Sequence, residues 1–145
     1  MLFELLATLC AGLFAGAAIY ITFVEHPARL ECGTELAATE FGPSYRRATL
    51  MQASLAAVGL LAALGAWAQG RGVGVLIGGL LLGLVIPFTL MVILPTNRLL
   101  LDPELDRGSA ETAALLARWG RLHTVRSAVS ALAFVVLLWC LAQRG

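Results

Sequence analysis

The segment at residues 119–127, WGRLHTVRS, carries the side chains of this chain that are best suited to chemistry. On a helix, Trp119, His123 and Arg126 follow one another at spacings of four and three residues, so they share one face. A histidine exchanges protons near neutral pH, and an arginine stabilises an anion that forms beside it. The segment leads directly into the apolar stretch AVSALAFVVLLWCLA, where charge is costly. These side chains therefore either lie at the membrane–water boundary or act there.

The composition is typical of integral membrane proteins. The chain has 145 residues, of which 59% are hydrophobic and 13% charged, and its mean hydropathy is +0.86. Residues 5–24, 48–68 and 73–94 contain no charged side chain, and each stretch is long enough to cross a bilayer as a helix. Residues 122–142 are long enough only when the polar residues of their first turns are included. No stretch alternates apolar and polar residues over the length of a barrel strand.

We therefore predict an all-α integral membrane protein, built as an up-down four-helix bundle with polar loops or interfacial helices capping one side. A single domain is expected over residues 1–145. The expected helices lie at about residues 3–25, 47–68, 73–94 and 110–142, the last with its membrane part at about 122–142. Residues 28–42 consist of good helix formers and are expected to lie along the interface.

Glycines and prolines indicate how the helices pack and end. Small residues four apart let helix backbones approach closely in lipid. Three such pairs are present, Gly12 with Gly16, Gly74 with Gly78, and Gly79 with Gly83. Two prolines fall in or just after the third predicted helix. We expect Pro87 to kink this helix and Pro95 to end it.

The charged residues divide unequally between the two sides of this bundle. We call the side of the N-terminus and the turn at Arg71 the bare side, and the side of residues 27–47 and 97–121 the polar side. The bare side has two arginines, Arg71 and Arg144, and one acid, Glu4. The polar side has eight arginines: Arg29, Arg46, Arg47, Arg98, Arg107, Arg118, Arg121 and Arg126. The positive-inside rule predicts that the polar side is cytoplasmic and that both termini lie outside.

The polar side also collects the other groups that can take part in chemistry. Its acids are Glu25, Glu31, Glu35, Glu40, Asp102, Glu104, Asp106 and Glu111. Both histidines of the chain, His26 and His123, fall there together with Tyr45 and Trp119. Long loops acquire charge for solubility alone, yet the concentration of titratable groups at one end favours a functional site on the polar side.

Four motifs resemble a known family. They are YITFVEHPAR at the end of the first helix, YRRATLMQ entering the second, LPTNRLL after the third, and WGRLHTVRS opening the fourth. Together they make nearly the whole chain similar to the anthrone oxygenases, a family of small four-helix membrane proteins in which many relatives have no assigned reaction. The matching positions are His26, Asn97, Arg98, Trp119, His123 and Arg126.

The resemblance implies oxidation of a polycyclic anthrone to an anthraquinone with O2. A base would remove a proton from the acidic methylene group, and cations or amide donors would stabilise the oxyanion that forms. On this basis the catalytic candidates are His123, Arg126, Asn97 and His26, with either histidine as the base. The substrate-binding candidates are Trp119, Tyr45 and Arg98. The reaction would use O2 as co-substrate and no cofactor, and its substrate would be a hydrophobic aromatic small molecule.

Two other classes of function remain open from the sequence. His26 and His123 on one side of a four-helix bundle can both ligate a haem, or one metal together with Glu25. Against this, the chain has no His-x-x-x-His, Glu-x-x-His or Cys-x-x-Cys-His motif. A non-catalytic scaffold or subunit is the third class, and homo-oligomers are compatible with it. Transport would favour ionisable residues near the bilayer midplane, and none is present there.

Structural roles compete with chemistry at several candidates. Trp119 and Arg121 have the types of interfacial anchors, a role that we favour for both, and Arg126 can bind lipid phosphate in the same way. Asn97 can cap the turn after Pro95, and His26 suits a helix end. The cysteines Cys10, Cys32 and Cys140 form no Cys-x-x-Cys pair, which argues against thiol redox chemistry. The net charge of +1, with arginines interleaved among acids, argues against nucleic-acid binding.

Overall fold

The computed structural model describes residues 1–143, and this part of the chain is helical and contains no strand. Its α-helices are Leu2–Tyr20, His26–Glu31, Thr34–Ala68, Val73–Phe88, Leu94–Leu100 and Ala110–Ala142, with π-helical segments at Ile21–Glu25 and Thr89–Ile93. They join into four spans, which we number in chain order as Leu2–Glu31, Thr34–Ala68, Val73–Leu100 and Ala110–Ala142. Each span is long and apolar enough to cross a membrane, so the predicted all-α membrane bundle is confirmed.

The spans form a closed ring of four. Each span packs against the next, and the first packs against the fourth, as the up-down order requires. On the bare side, the turn between the second and third spans passes through Gly70, whose positive φ of 81° favours glycine. Arg71 Nε then lies 3.3 Å from Glu4 Oε2, which ties this turn to the start of the first span. Arg144 of the predicted bare side lies outside the described residues.

The helices on the polar side are longer than the sequence indicated. The second helix begins at Thr34 and not near residue 47, because the good helix formers after Gly33 extend it beyond the apolar stretch. The third span does not end at Pro95 but continues to Leu100, so that expectation was wrong. Both π-helical segments come just before a proline, Pro27 or Pro95, which then occupies the first turn of the next α-helix. Inside a continuous span a proline cannot donate the usual hydrogen bond to the preceding turn, so a local departure from α-helical geometry is expected beside it.

Small residues hold the spans together on the bare side. A Cβ atom added at Gly78 would lie 2.6 Å from Leu137 Cγ, and one at Gly83 would lie 2.8 Å from Leu60 Cδ2. A Cβ atom added at Gly12 would lie 2.9 Å from the Phe134 ring. Gly16 has nothing within 4 Å, so it does not share the packing role expected for its pair with Gly12. The other two predicted pairs, Gly74 with Gly78 and Gly79 with Gly83, lie at the close helix contacts that the sequence predicted.

Candidate active site

The polar end of the bundle encloses a cluster of aromatic rings around Trp119. The His123 ring stacks on Trp119 at 4.7 Å between centroids and 25° between planes. His26 contacts the same indole at 5.0 Å, and Phe41 meets it edge-on at 5.2 Å. Trp119 is only 6% exposed, so its interpretation as an interfacial anchor was wrong. Arg121 is exposed, as an anchor would be.

His123 is buried and oriented by two hydroxyl groups. Its Nδ1 lies 3.1 Å from Thr22 Oγ1 and 3.4 Å from Ser127 Oγ. Both hydroxyls can donate their own proton elsewhere, since each lies 3.0 Å from the Ala18 carbonyl oxygen. If Nδ1 carries the hydrogen, the ring donates one hydrogen bond to a hydroxyl, and the hydroxyls keep their own protons for other acceptors. If Nε2 carries it, one hydroxyl must turn its proton toward Nδ1, so the network has one hydrogen bond fewer. The arrangement favours an imidazole whose Nε2 is free to accept a proton.

Thr22 reaches His123 from a π-helical segment. It lies in Ile21–Glu25, where the first span departs from α-helical geometry just before Pro27. Single π turns inside α-helices are common at functional sites because they change which side chains face a neighbouring helix. Here the change accompanies a contact between two residues 101 positions apart in the chain.

Arg126 is a half-buried cation that has no carboxylate partner among residues 1–143. Its Nη2 donates a hydrogen bond to Gln52 Oε1, and its guanidinium lies over the Phe14 ring at 5.0 Å from the centroid. The buried Nε atom of Arg126 has no hydrogen-bond partner in the described part of the chain. A cation in apolar surroundings without a counter-ion favours any negative charge that appears beside it.

The contact with Arg126 fixes the orientation of the Gln52 amide group. A guanidinium only donates hydrogen bonds, so the amide must present its oxygen to Arg126. The amide nitrogen of Gln52 is then left buried without a partner among the described residues. The Gln52 side chain is 1% exposed, so this free donor lies inside the protein.

These residues border one enclosed space, which we call the inner cavity. Its walls include Trp119, His123 and Arg126, which the sequence placed on one helix face. Tyr45, stacked on Phe41 at 5.7 Å, and Gln52 complete the wall from the second span. The inner cavity is small and leaves room for about one water-sized molecule. A base and an unpaired cation thus share a space that admits a very small reactant.

The buried Arg29 lines the cavity and forms ion pairs with more exposed acids. Arg29 pairs with Glu25, and its Nε lies 2.8 Å from Glu40 Oε2. It also donates to Ser44 Oγ at 3.2 Å. Its guanidinium carbon lies 5.9 Å from the Trp119 ring centroid. Arg29 therefore has counter-ions where Arg126 has none, which distinguishes a structural arginine from a candidate catalytic one.

The other predicted residues have separate places. His26 packs against Gly120, where an added Cβ would lie 2.6 Å from His26 Nε2, and its Nδ1 has no partner among the described residues. Asn97 is 1% exposed, and neither of its amide atoms has a partner within residues 1–143. It does not line the inner cavity. Arg98 is exposed on the protein surface and does not line that cavity either.

The residues named for a metal are not gathered as ligands. Within residues 1–143, no group of three histidine, cysteine or acidic side chains is arranged to hold a metal ion. Glu25 accepts hydrogen bonds from Arg29 and Ser44. His123 uses Nδ1 in the contact with Thr22. Whether the protein binds a cofactor stays a prediction.

Sequence reasoning missed three residues of the site. Gln52 is the only amide side chain in the uncharged stretch 48–68, and this isolation was a usable signal. Arg29 was counted only as a loop charge. Thr22 carried no signal, because threonines in membrane helices usually bond to their own backbone.

The sequence model of the anthrone oxygenase family matches residues 41–136, about two thirds of the chain. The matched range includes Gln52, Asn97, Trp119, His123 and Arg126, and it leaves out Thr22, His26 and Arg29. No curated protein and no solved structure matches this chain.

Proposed function

This chain belongs to the anthrone oxygenase family, and from that premise we propose that it oxidises an anthrone-type polycyclic aromatic compound with O2 inside the membrane. One observation carries the proposal. Arg126, a cation without a carboxylate partner in the described chain, borders the same cavity as the imidazole of His123. A base beside an uncompensated cation suits a reaction that converts a neutral carbonyl compound into an oxyanion.

The reaction proceeds in three steps. Nε2 of His123 takes a proton from the methylene carbon opposite the ketone, and the electron pair delocalises onto the carbonyl oxygen. Arg126 stabilises that oxyanion. The carbanion carbon then reduces O2 and forms a carbon–oxygen bond, and the imidazolium returns its proton to the peroxide. Loss of water from the hydroperoxide forms the second carbonyl group, so anthrone and O2 become anthraquinone and water.

Two of the other candidates take supporting roles in this proposal. Tyr45 stacks on the flat substrate, and Trp119 holds the His123 ring by stacking on it. Asn97 and Arg98 do not line the cavity shared by His123 and Arg126, so the proposal gives them no part in these steps. His26 is the second candidate for the base. The reaction needs no metal or organic cofactor, because the anthrone anion reacts with O2 directly.

Oxygen uptake by the purified protein in lipid nanodiscs tests this activity. With anthrone as substrate, we expect equal amounts of O2 and anthrone to be consumed as anthraquinone absorbance appears. Empty nanodiscs report the spontaneous oxidation, and Arg121→Gln is a matched control because Arg121 is an exposed arginine on the same helix. A rate equal to that of empty nanodiscs would contradict the proposal.

We also propose that the polar side faces the cytoplasm, as its arginine excess predicts. Cys32 is exposed on that side and Cys10 is buried. A membrane-impermeant maleimide should therefore label Cys32 in inverted vesicles and not in right-side-out vesicles, with Cys32→Ser as the control. Labelling only in right-side-out vesicles would reverse the orientation.

A further inference from the structure

A second space adjoins the inner cavity, and we call it the lateral pocket. It lies between the second and third spans and measures about 520 Å³ including its open mouth. Its walls are mainly apolar, with Phe14 and Val85 at the back and Ile86 and Leu94 along the third span.

The mouth of the lateral pocket opens toward lipid. Thr49, Ala53 and Leu90 line the pocket and are exposed. They belong to the uncharged stretches 48–68 and 73–94, which are the parts of these spans that cross the hydrocarbon. A molecule that enters here comes from the bilayer and not from water, and it must be soluble in lipid.

Gln52 and Arg126 stand between the lateral pocket and the inner cavity, since both residues line both spaces. Each has a buried nitrogen without a partner in residues 1–143, Nε2 of Gln52 and Nε of Arg126. Both nitrogens are donors and neither can accept. These two side chains add unpaired donors to a mainly apolar lining that also includes the hydroxyl groups of Tyr45, Thr49 and Thr89, and such donors suit a ligand that carries a carbonyl oxygen on a hydrocarbon body.

We infer that the lateral pocket is the substrate-binding site, and that it takes a flat, lipid-soluble aromatic ketone directly from the bilayer. Gln52 Nε2 donates to the ketone oxygen and selects carbonyl compounds over plain hydrocarbons. The inference rests on the proposed function for the identity of the ligand, but it concerns binding and can be tested without turnover.

The first test blocks the mouth. Radiolabelled anthraquinone is a suitable probe, because it has the shape of the substrate and cannot be oxidised further at the same carbon. Its retention by protein-loaded nanodiscs is compared with that by empty ones. Ala53→Phe should weaken retention about tenfold or more, because the new ring fills the mouth. Ala128→Phe, the same change at an exposed alanine of the fourth span that does not line the pocket, should bind as the wild type does.

The second test removes the donor. Gln52→Glu keeps an oxygen for Arg126 and loses the amide nitrogen, so the fold retains its buried contact. We expect wild-type protein to retain anthraquinone more strongly than anthracene, which has the rings and no carbonyl group. In Gln52→Glu this preference should fall about tenfold, while anthracene retention stays within about twofold of wild type. A preference that survives the substitution would overturn the role of Gln52.

The outcomes separate the two proposals. Anthraquinone retention that depends on residue 53, in a protein that does not oxidise anthrone, would support the pocket and contradict the reaction. Oxidation of anthrone with the same KM in wild type, Ala53→Phe and Ala128→Phe would support the reaction and overturn the lateral pocket as its binding site. Equal retention by all variants and by empty nanodiscs would also overturn the pocket.

Discussion

The two ends of the bundle are packed by different kinds of residue. On the bare side, the core consists of alanines and small contacts such as Gly78 against Leu137, and the helices there are regular. On the polar side, the core includes the aromatic rings of Phe41 and Trp119, both π-helical segments fall at this end, and the buried polar side chains of His26, Asn97 and His123 lie there. Close helix packing leaves no room for a ligand, whereas the irregular half borders both the inner cavity and the lateral pocket. We propose that the bare half supplies stability and the polar half carries out the reaction.

Removal of the unpaired cation Arg126 should have the largest effect on turnover. Arg126→Gln is expected to lower turnover of anthrone by about 10²–10³-fold, the usual scale for the loss of an oxyanion donor. Arg126→Lys should fall between this variant and wild type, because lysine keeps the charge and loses the planar fork. Oxygen uptake at saturating anthrone measures both. Arg121→Gln, on an exposed face of the same helix, should retain full activity, and equal activity in Arg126→Gln would remove Arg126 from the mechanism.

A smaller loss is expected when the positioning of His123 is disturbed. Thr22→Val keeps the shape of the side chain and removes the hydroxyl that lies 3.1 Å from His123 Nδ1. We expect turnover to fall about tenfold, because a lost hydrogen bond of this kind is worth about 1 kcal/mol and the ring is free to adopt the other tautomer. The pH profile of turnover should change as well, which a loss of stability alone would not cause.

Thr8 offers a matched control for that experiment. Its hydroxyl donates to the Glu4 carbonyl oxygen at 2.8 Å, just as Thr22 donates to Ala18, but it lies on the bare side. Thr8→Val should leave both turnover and pH profile unchanged. Identical behaviour of the two variants would show that a hydroxyl on the polar side has no special role in the reaction.

The smallest effect on activity should come from the bare side. Gly78→Ala would place a methyl group 2.6 Å from Leu137 Cγ and is expected to cost about 1–3 kcal/mol of stability without changing the specific activity of the folded protein. Gly16→Ala, which meets nothing within 4 Å, should be neutral or slightly stabilising. Denaturation in mixed detergent micelles compares the two. A drop in specific activity with Gly78→Ala would mean that packing on the bare side affects the reaction on the polar side.

The sequence was sufficient for the class, the number of spans and their order, because uncharged stretches of membrane length leave few alternatives. It also brought Trp119, His123 and Arg126 together, since helical spacing alone places them on one face. It did not reveal that Trp119 is buried, because an aromatic residue at a helix end has the same pattern in the lipid belt and in a core. The Thr22 contact and the continuation through Pro95 depend on π-helical segments, for which the local sequence has no clear signal.

The central claim is that His123 is the base of an oxidation carried out at the polar end. Oxygen uptake with anthrone by His123→Gln in nanodiscs tests it most directly, with His26→Gln measured in parallel and thermal melts to establish that each variant is folded. We predict that turnover in His123→Gln falls by about 10²-fold or more, the scale of general-base loss, while His26→Gln retains most of the wild-type rate. Wild-type turnover in a folded His123→Gln protein would contradict the account, and it would do so whether His26 then proved to be the base or both histidines proved to be structural.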